Sequence, residues 1–479
     1  MWSPPARATL ALLTLLLAIA CTRPPRLAAD LVITRARIWT GNSAQPSAAA
    51  VAVIGDRIVD VGEADQIERW RGAGTTVLDA EGRRLIPGFN DARARLAGGG
   101  LELDEVDLKD AGTAVEFARR INERARAKPG EWILGGRWDD RRWTPAVPPT
   151  RALIDDITNS TPVFLVRDDG TMALANSAAL GRAGITEHTV DPPGGALVRD
   201  ANGFPTGVLA GSAMEIVARV IPRTTPERRQ RAVNRALELA GSLGVTSAQD
   251  IGASYEDIAA YAELANRGEL TVRVYAVPAE GGWYDQAKLG VHRAFGSPWL
   301  RIGAVYAAFD AAGDIAAMRT RLMAADHAGL QISVATIGDT PLSRLLDLLD
   351  EIARANGGRD RRFRIDGTRI DGHDLARLAA LHAIAPLGSG WPSAPLNPML
   401  TLQAAKARSL TVAEALAAQT SGAAFAEFQE NDKGTIARGK LADMIILSDD
   451  ILAASPAPLT DVRVLTTIVG GKIVHQRKP

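Results

Sequence analysis

Helix and strand signals alternate through the middle of the chain, and that alternation limits the fold more than any other feature. Thr225-Pro226-Glu227 opens a helix, with Thr as cap and Pro at the first position. The helical pattern runs to Leu243 and stops at Gly244, and 245–248 then reads as a strand. Asp314 caps a second helix that ends before Gly329, followed by a strand at 330–335. A third helix at 341–355 leads into a strand at 362–366. Units of this length predict a parallel sheet with covering helices, because a parallel return needs a crossover long enough to hold a helix. A closed barrel is the expected form, though repetition alone does not exclude an open sheet.

The two ends have a different texture. Strand runs at 31–33, 36–39, 51–54 and 58–61 are broken by Gly41-Asn42 and Gly55-Asp56, and a strand-like run follows at 75–86. At the far end, runs at 443–447 and 464–469 precede Gly470-Gly471, which turns into 472–475. Neither group can bury a core alone, so the two are expected to pair as one split β-sandwich, 30–86 with 434–479. That leaves 87–433 for the αβ units. A chain of 479 residues has room for one large domain and a smaller one.

Residues 1–21 read as a leader. Arg7 precedes an apolar run at 8–20, shorter than the roughly 20 residues a membrane-spanning helix needs. Cys21 is the one cysteine, which excludes an intrachain disulfide. Ala18-Ile19-Ala20-Cys21 resembles a bacterial lipobox, which implies cleavage before Cys21, lipidation of its sulfur and a tether at 22–29. Thr22 rather than Asp after the cysteine directs the expected anchor to the outer membrane, on its periplasmic face. A plain signal peptide cut near Ala20, or an uncleaved anchor, is the alternative. Formal net charge is zero. Nothing there attracts nucleic acid, so the lipid anchor is the only membrane contact expected.

The chemistry-bearing stretch is Pro87-Gly88-Phe89-Asn90-Asp91-Ala92-Arg93-Ala94-Arg95. Asp91, Arg93 and Arg95 recur at period two, which on a strand points them to one face, and Asp91 is expected to bind its arginine neighbours. The stretch resembles the opening strand of metal-dependent amidohydrolases, which carry Pro-Gly-Phe-x-Asp-Ala-His-x-His. Arg167-Asp168-Asp169-Gly170-Thr171, Ala175-Asn176-Ser177-Ala178-Ala179-Leu180, Asp191-Pro192-Pro193-Gly194-Gly195 and Gly203-Phe204-Pro205-Thr206-Gly207 resemble amidohydrolase family 3, the branch that includes N-substituted formamide deformylases. Gly439-Lys440-Leu441-Ala442-Asp443 is similar to that family's Gly-Lys-x-Ala-Asp turn.

The resemblance implies an α/β fold: a TIM-type (β/α) barrel with the split sandwich wrapped around it. It also implies a site at the C-terminal strand ends, and zinc or another divalent metal. This chain departs from the pattern at every position the chemistry needs. The two metal-binding histidines of the first strand are Arg93 and Arg95, and the substrate-contacting histidine is Thr171. The metal-bridging lysine is Tyr306, the later ligand histidines are Ala335 and Gly367, and the general-base aspartate is Gly390. The segments after Phe309-Asp310 and before Gly388 are short, so the last barrel strands are expected to be shortened or rearranged.

Arginine stays protonated and has no lone pair to give a metal. No metal, no cofactor and no catalytic residue are therefore expected. The pocket candidates are Asp91, Arg93, Arg95, Thr171, Tyr306 and Asp339. The two arginines admit three readings: ion pairs with Asp91 or Asp339 that fill the former metal space, an anion-binding pocket, or catalysis. His188, His292, His327, His373, His382 and His475 form no ligand pair by spacing. Three function classes stay open. One is a non-catalytic, lipid-anchored homologue (a pseudoenzyme) binding a small, anionic molecule or a protein partner. Another is a hydrolase of non-peptide carbon–nitrogen (amide) bonds with a rebuilt or metal-free site. The third is a structural lipoprotein.

Overall fold

A computed structural model describes residues 27–310, 313–336, 341–366, 372–453 and 457–477. Cys21, Gly367 and Asp339 lie outside the described residues. Among the described residues, no helix is long and apolar enough to cross a membrane.

Strands from the two ends of the chain share a sheet. Met444–Leu447 pairs antiparallel with Val464–Val469 on one side and with Arg84–Pro87 on the other, in the register Ile445↔Ile86. A second sheet holds Leu31–Thr34 between Ala50–Ile54 and Thr76–Asp79. Alternation along these strands sends Leu31, Ile33, Val51, Val53, Met444, Ile446 and Ile468 into one apolar core between the sheets. The run at 75–86 becomes two strands in two sheets, because Glu81 and Gly82 turn with φ of 52° and 76° between them.

Six parallel strands follow: β1 (Phe89–Ala94), β2 (Val245–Ile251), β3 (Arg273–Val277), β4 (Ala304–Phe309), β5 (Gln331–Thr336) and β6 (Arg364–Ile365). β2 pairs with β1 and β3, and β5 with β4 and β6. Single bridges extend the series. Ala279 pairs with Tyr306, Arg364 with Ile384, and Ala94 with Trp391. The stretch 384–391 thus touches β6 at one end and β1 at the other. Every residue of β2 is buried, as a strand covered on both faces must be.

Two helices frame the opening of β1. α1 (Leu96–Glu102) leaves the strand directly, and α2 (Pro226–Ser242) leads into β2. Thr225 caps α2 by accepting from the Arg228 N–H at 3.2 Å. Its Ala232, Val233, Ala236, Leu237 and Ala240 fall at helical spacing and are buried. α1 comes close through glycines. A Cβ on Gly100 would stand 2.1 Å from the Ala232 carbonyl oxygen, and one on Gly99 would stand 2.4 Å from the Trp391 ring.

The barrel interval expected at 87–433 contains a further six-stranded sheet between β1 and β2. It runs from Val106–Asp107 to Pro205–Gly211 and mixes parallel with antiparallel neighbours. Its own core gathers Leu108, Phe117, Trp138, Trp143, Leu165 and Leu174.

Candidate functional site

Exposure rises along one face of β1. Asp91 is buried, Arg93 half-buried, and Arg95, just past the strand, exposed. Asp91 bonds Arg93 through its backbone and pairs with neither guanidinium, where the sequence pointed to the arginine side chains. Its Oδ1 accepts from the N–H of Arg93 at 3.0 Å and of Ser389 at 2.9 Å, and no ion pair joins it to Arg93 or Arg95. The reason is geometric: side chains two apart on a strand point outward side by side, while the backbone of 388–390 lies against the strand. Burial pushes the Asp91 carboxyl up, against the hydrogen bonds from Ser389 and Arg93. The space left beside it is ≈ 10 Å³, room for about one water molecule.

Arg93 fills the position opposite. The Gly390 N–H donates to its carbonyl at 2.8 Å, and a Cβ on Gly390 would stand 3.4 Å from Arg93 Nη1. Gly388 is held tighter still, since a Cβ there would lie 2.3 Å from Arg93 N and 2.8 Å from Asp91 Oδ1. Arg95 turns away, its Nε donating to the Ile251 carbonyl at 3.4 Å. A cation brought to 4 Å of one guanidinium at an effective dielectric of about 20 meets roughly 4 kcal/mol of repulsion per unit charge. The side chains present therefore do not fit a divalent metal. Among the described residues, no three His, Cys, Asp or Glu side chains gather closely enough to hold one.

The remaining candidates are dispersed. Tyr306, on β4, is half-buried and packs against Ile251, Tyr275 and Val277. Ala335 is buried on β5. Thr171 is exposed in a turn of the inserted sheet, where its hydroxyl accepts from Arg167 Nη2 at 2.8 Å and donates to Asp169 at 2.9 Å. Arg167 and the Thr171 N–H hold the Asp169 carboxyl well below the usual carboxylate range.

Around β1 and β6 the polar residues form a sealed network that spacing alone does not reveal. Arg364, fully buried, donates to the Ala92 carbonyl at 2.6 Å, to Asp366 at 3.2 Å and to Gln249. Ser333 donates to Asp366. Gln249 passes the chain to the Ala423 carbonyl at 2.9 Å, and Asn90 donates to Glu427 at 2.6 Å. Lys433 lies 2.8 Å from Glu427 and donates to Ser247 at 2.7 Å. Burial lowers the Lys433 pKa, opposed by Glu427.

Open space lies further out, in a cleft of ≈ 420 Å³ between α1, the inserted sheet and Trp391-Pro392. Arg137 spans it. Its Nη1 donates to the Pro392 carbonyl at 3.2 Å, and its guanidinium lies 3.4 Å from Asp168 and 3.8 Å from Glu102. Its φ of 49° is left-handed, a conformation that costs a non-glycine residue about 1–3 kcal/mol and clusters at ligand clamps. Beside it, burial and the nearby Glu102 push Glu105 from an ordinary 4.5 up to about 7. Lys109 and Arg167 complete the cationic side, and among the described residues no serine, cysteine or histidine lines the cleft. Neither Glu105 nor Arg137 sits in a recognisable motif. The Gly135-Gly136 pair before Arg137 was the available signal. Both glycines have positive φ, and a Cβ on Gly135 would stand 2.3 Å from Glu105 Oε2.

Comparisons with known proteins agree over nearly the whole chain. The amidohydrolase family model matches residues 76–393 and 395–475. The chain is 30% identical to Protein LONG AFTER FAR-RED 3 of Arabidopsis thaliana, over 95% of this chain and 93% of that protein. It is 24% identical to the N-substituted formamide deformylase of Arthrobacter pascens, over 94% of this chain and 98% of that protein. An uncharacterized metal-dependent hydrolase from Pyrococcus horikoshii superposes with a TM-score of 0.74 at 20% identity, covering 90% of this chain and 99% of its own. That likeness is one of fold, a TIM-type barrel with an additional domain.

Proposed function

The chain belongs to the amidohydrolase family, and from that premise we propose a non-catalytic member that binds a small polar molecule in the cleft beside Trp391. One observation carries this reading. The Arg93 guanidinium stands 3.4 Å from where a Gly390 side chain would begin, so a cation occupies the ground between the family's ligand and general-base positions. Metal-assisted hydrolysis needs a Lewis-acidic ion with open coordination to activate water and polarise the carbonyl. Arg93, Arg95, Tyr306 and Ala335 offer that ion no suitable donor set.

The same reading covers the barrel and the anchor. Because 384–391 meets β6 and β1 at its two ends, one passage of chain replaces the last two strands and closes a shortened ring of seven. The run at 8–20 and Cys21 support a lipid anchor on the periplasmic face of the outer membrane. The ligand carries an anionic group toward Lys109 and Arg137 and a hydrogen-bonding group toward Glu105.

Elemental analysis of the full-length protein in detergent, with and without added zinc, tests the reading. Zinc well below one ion per chain is expected, and one bound zinc per chain overturns it. Glu105 favours a second reading, a metal-free hydrolase of non-peptide carbon–nitrogen bonds, because a carboxyl that titrates near 7 is suited to general acid–base work. Release of formate from an N-substituted formamide, lost in Glu105→Gln, would support it. No formate from the wild-type protein removes it.

A further inference from the structure

A second cavity, separate from the cleft, lies where the inserted sheet meets the start of α2. It measures ≈ 350 Å³ and is lined by Lys128, Arg182, Arg223, Arg228 and Arg231 against two carboxylates, Asp104 and Glu131. Asp104 is already matched, with Lys128 at 3.1 Å, Arg235 at 2.6 Å and Arg124 at 3.8 Å. Glu131 lies 3.9 Å from Lys128. The four arginines form no ion pair among the described residues. Glu105, Glu227 and Glu256 act on Arg228, Arg231 and Arg223 from outside the lining; within it five cations face two carboxylates, a balance that favours an anion.

Trp132, more than nine-tenths buried, forms part of the same wall. Arg182 lies 5.6 Å over its ring, a cation–π contact that holds one guanidinium at the cavity. The N-terminus of α2 adds a positive field. Thr225 already occupies the Arg228 N–H, so the helix contributes potential more than donors. Ile221 and Pro222 form the apolar part of the wall.

We propose that this cavity binds a phosphate-bearing anion of two or more charges. Guanidinium forks grip phosphate oxygens in pairs. Two sources share that chemistry, a soluble phosphorylated molecule and a phospholipid headgroup. The proposal stands apart from the reading of the barrel site and survives its failure.

Titration calorimetry of the full-length protein in detergent with inorganic pyrophosphate tests it. Binding is expected, weakened about tenfold or more in Arg182→Ala/Arg228→Ala. The exposed single variant Arg223→Ala is expected to weaken it by about threefold and keeps the test decisive should the double variant misfold. Arg408→Ala, away from the cavity lining, is expected to leave the isotherm unchanged. No heat of binding, or binding that none of the cavity variants weakens, overturns the proposal. Doping the micelles with phosphatidylglycerol separates the sources. Displacement of pyrophosphate assigns the site to headgroups, and an unchanged isotherm assigns it to a soluble ligand.

Discussion

Two carboxylates separate the closed part of this site from the open part. Asp91 and Glu105 are both raised by burial. Asp91 is sealed by backbone N–H groups beside a space of ≈ 10 Å³, whereas Glu105 faces a cleft of ≈ 420 Å³. At the position that resembles a metal site, Arg93 stands against the backbone of Gly388 and Gly390. The room for a ligand lies outward, against a sheet that the barrel pattern does not contain. The replaced metal positions and the open cleft are therefore separate features, and each can be perturbed alone.

The largest effect should come from the sealed side. Arg364→Ala removes the buried donor to the Ala92 carbonyl, Gln249 and Asp366 at once and should destabilise the fold by about 3–5 kcal/mol in chemical denaturation. A loss below about 1 kcal/mol would mean the network behind β1 is not closed. Gly388→Ala forces a methyl against Arg93 and should cost about 1–3 kcal/mol in the same assay. Full stability in that variant would show that the loop can leave the strand.

On the open side the effect depends on pH. Glu105 rises from 4.5 to about 7 on folding, so the unfolded chain releases its proton first. Its penalty is absent below pH 4.5, grows as pH rises through 7 and is complete above that. Glu105→Gln should flatten the stability profile over this window and gain roughly 1–3 kcal/mol at pH 8, discounted for partial exposure. An unchanged profile would place Glu105 in solvent. The smallest effect is expected from Arg93→His/Arg95→His, which should acquire no stoichiometric zinc because Tyr306, Ala335 and Gly390 still supply no ligand. Zinc in that variant would show that two substitutions are enough to make a metal site there.

Local signals carried much of the chain. Thr225 and Pro226 marked the start of α2, and the apolar runs at 443–447 and 464–469 became strands, because capping and period-two burial are decided by near neighbours. The run at 75–86 misled, since Glu81-Gly82 turns the chain between two sheets. The inserted sheet was hidden because its strands are short and pair out of order. The partners of Asp91 were misread because Ser389 is 298 positions away.

The sequence by itself determined that this chain resembles amidohydrolases and that its metal positions hold residues such as arginine, whose protonated side chain has no lone pair to offer whatever its surroundings. Only the tertiary structure decided where Arg93 stands, what Asp91 bonds, and that Glu105 titrates near 7 in a cleft beside Trp391. Those properties depend on burial and on contacts between distant segments, which no local pattern encodes.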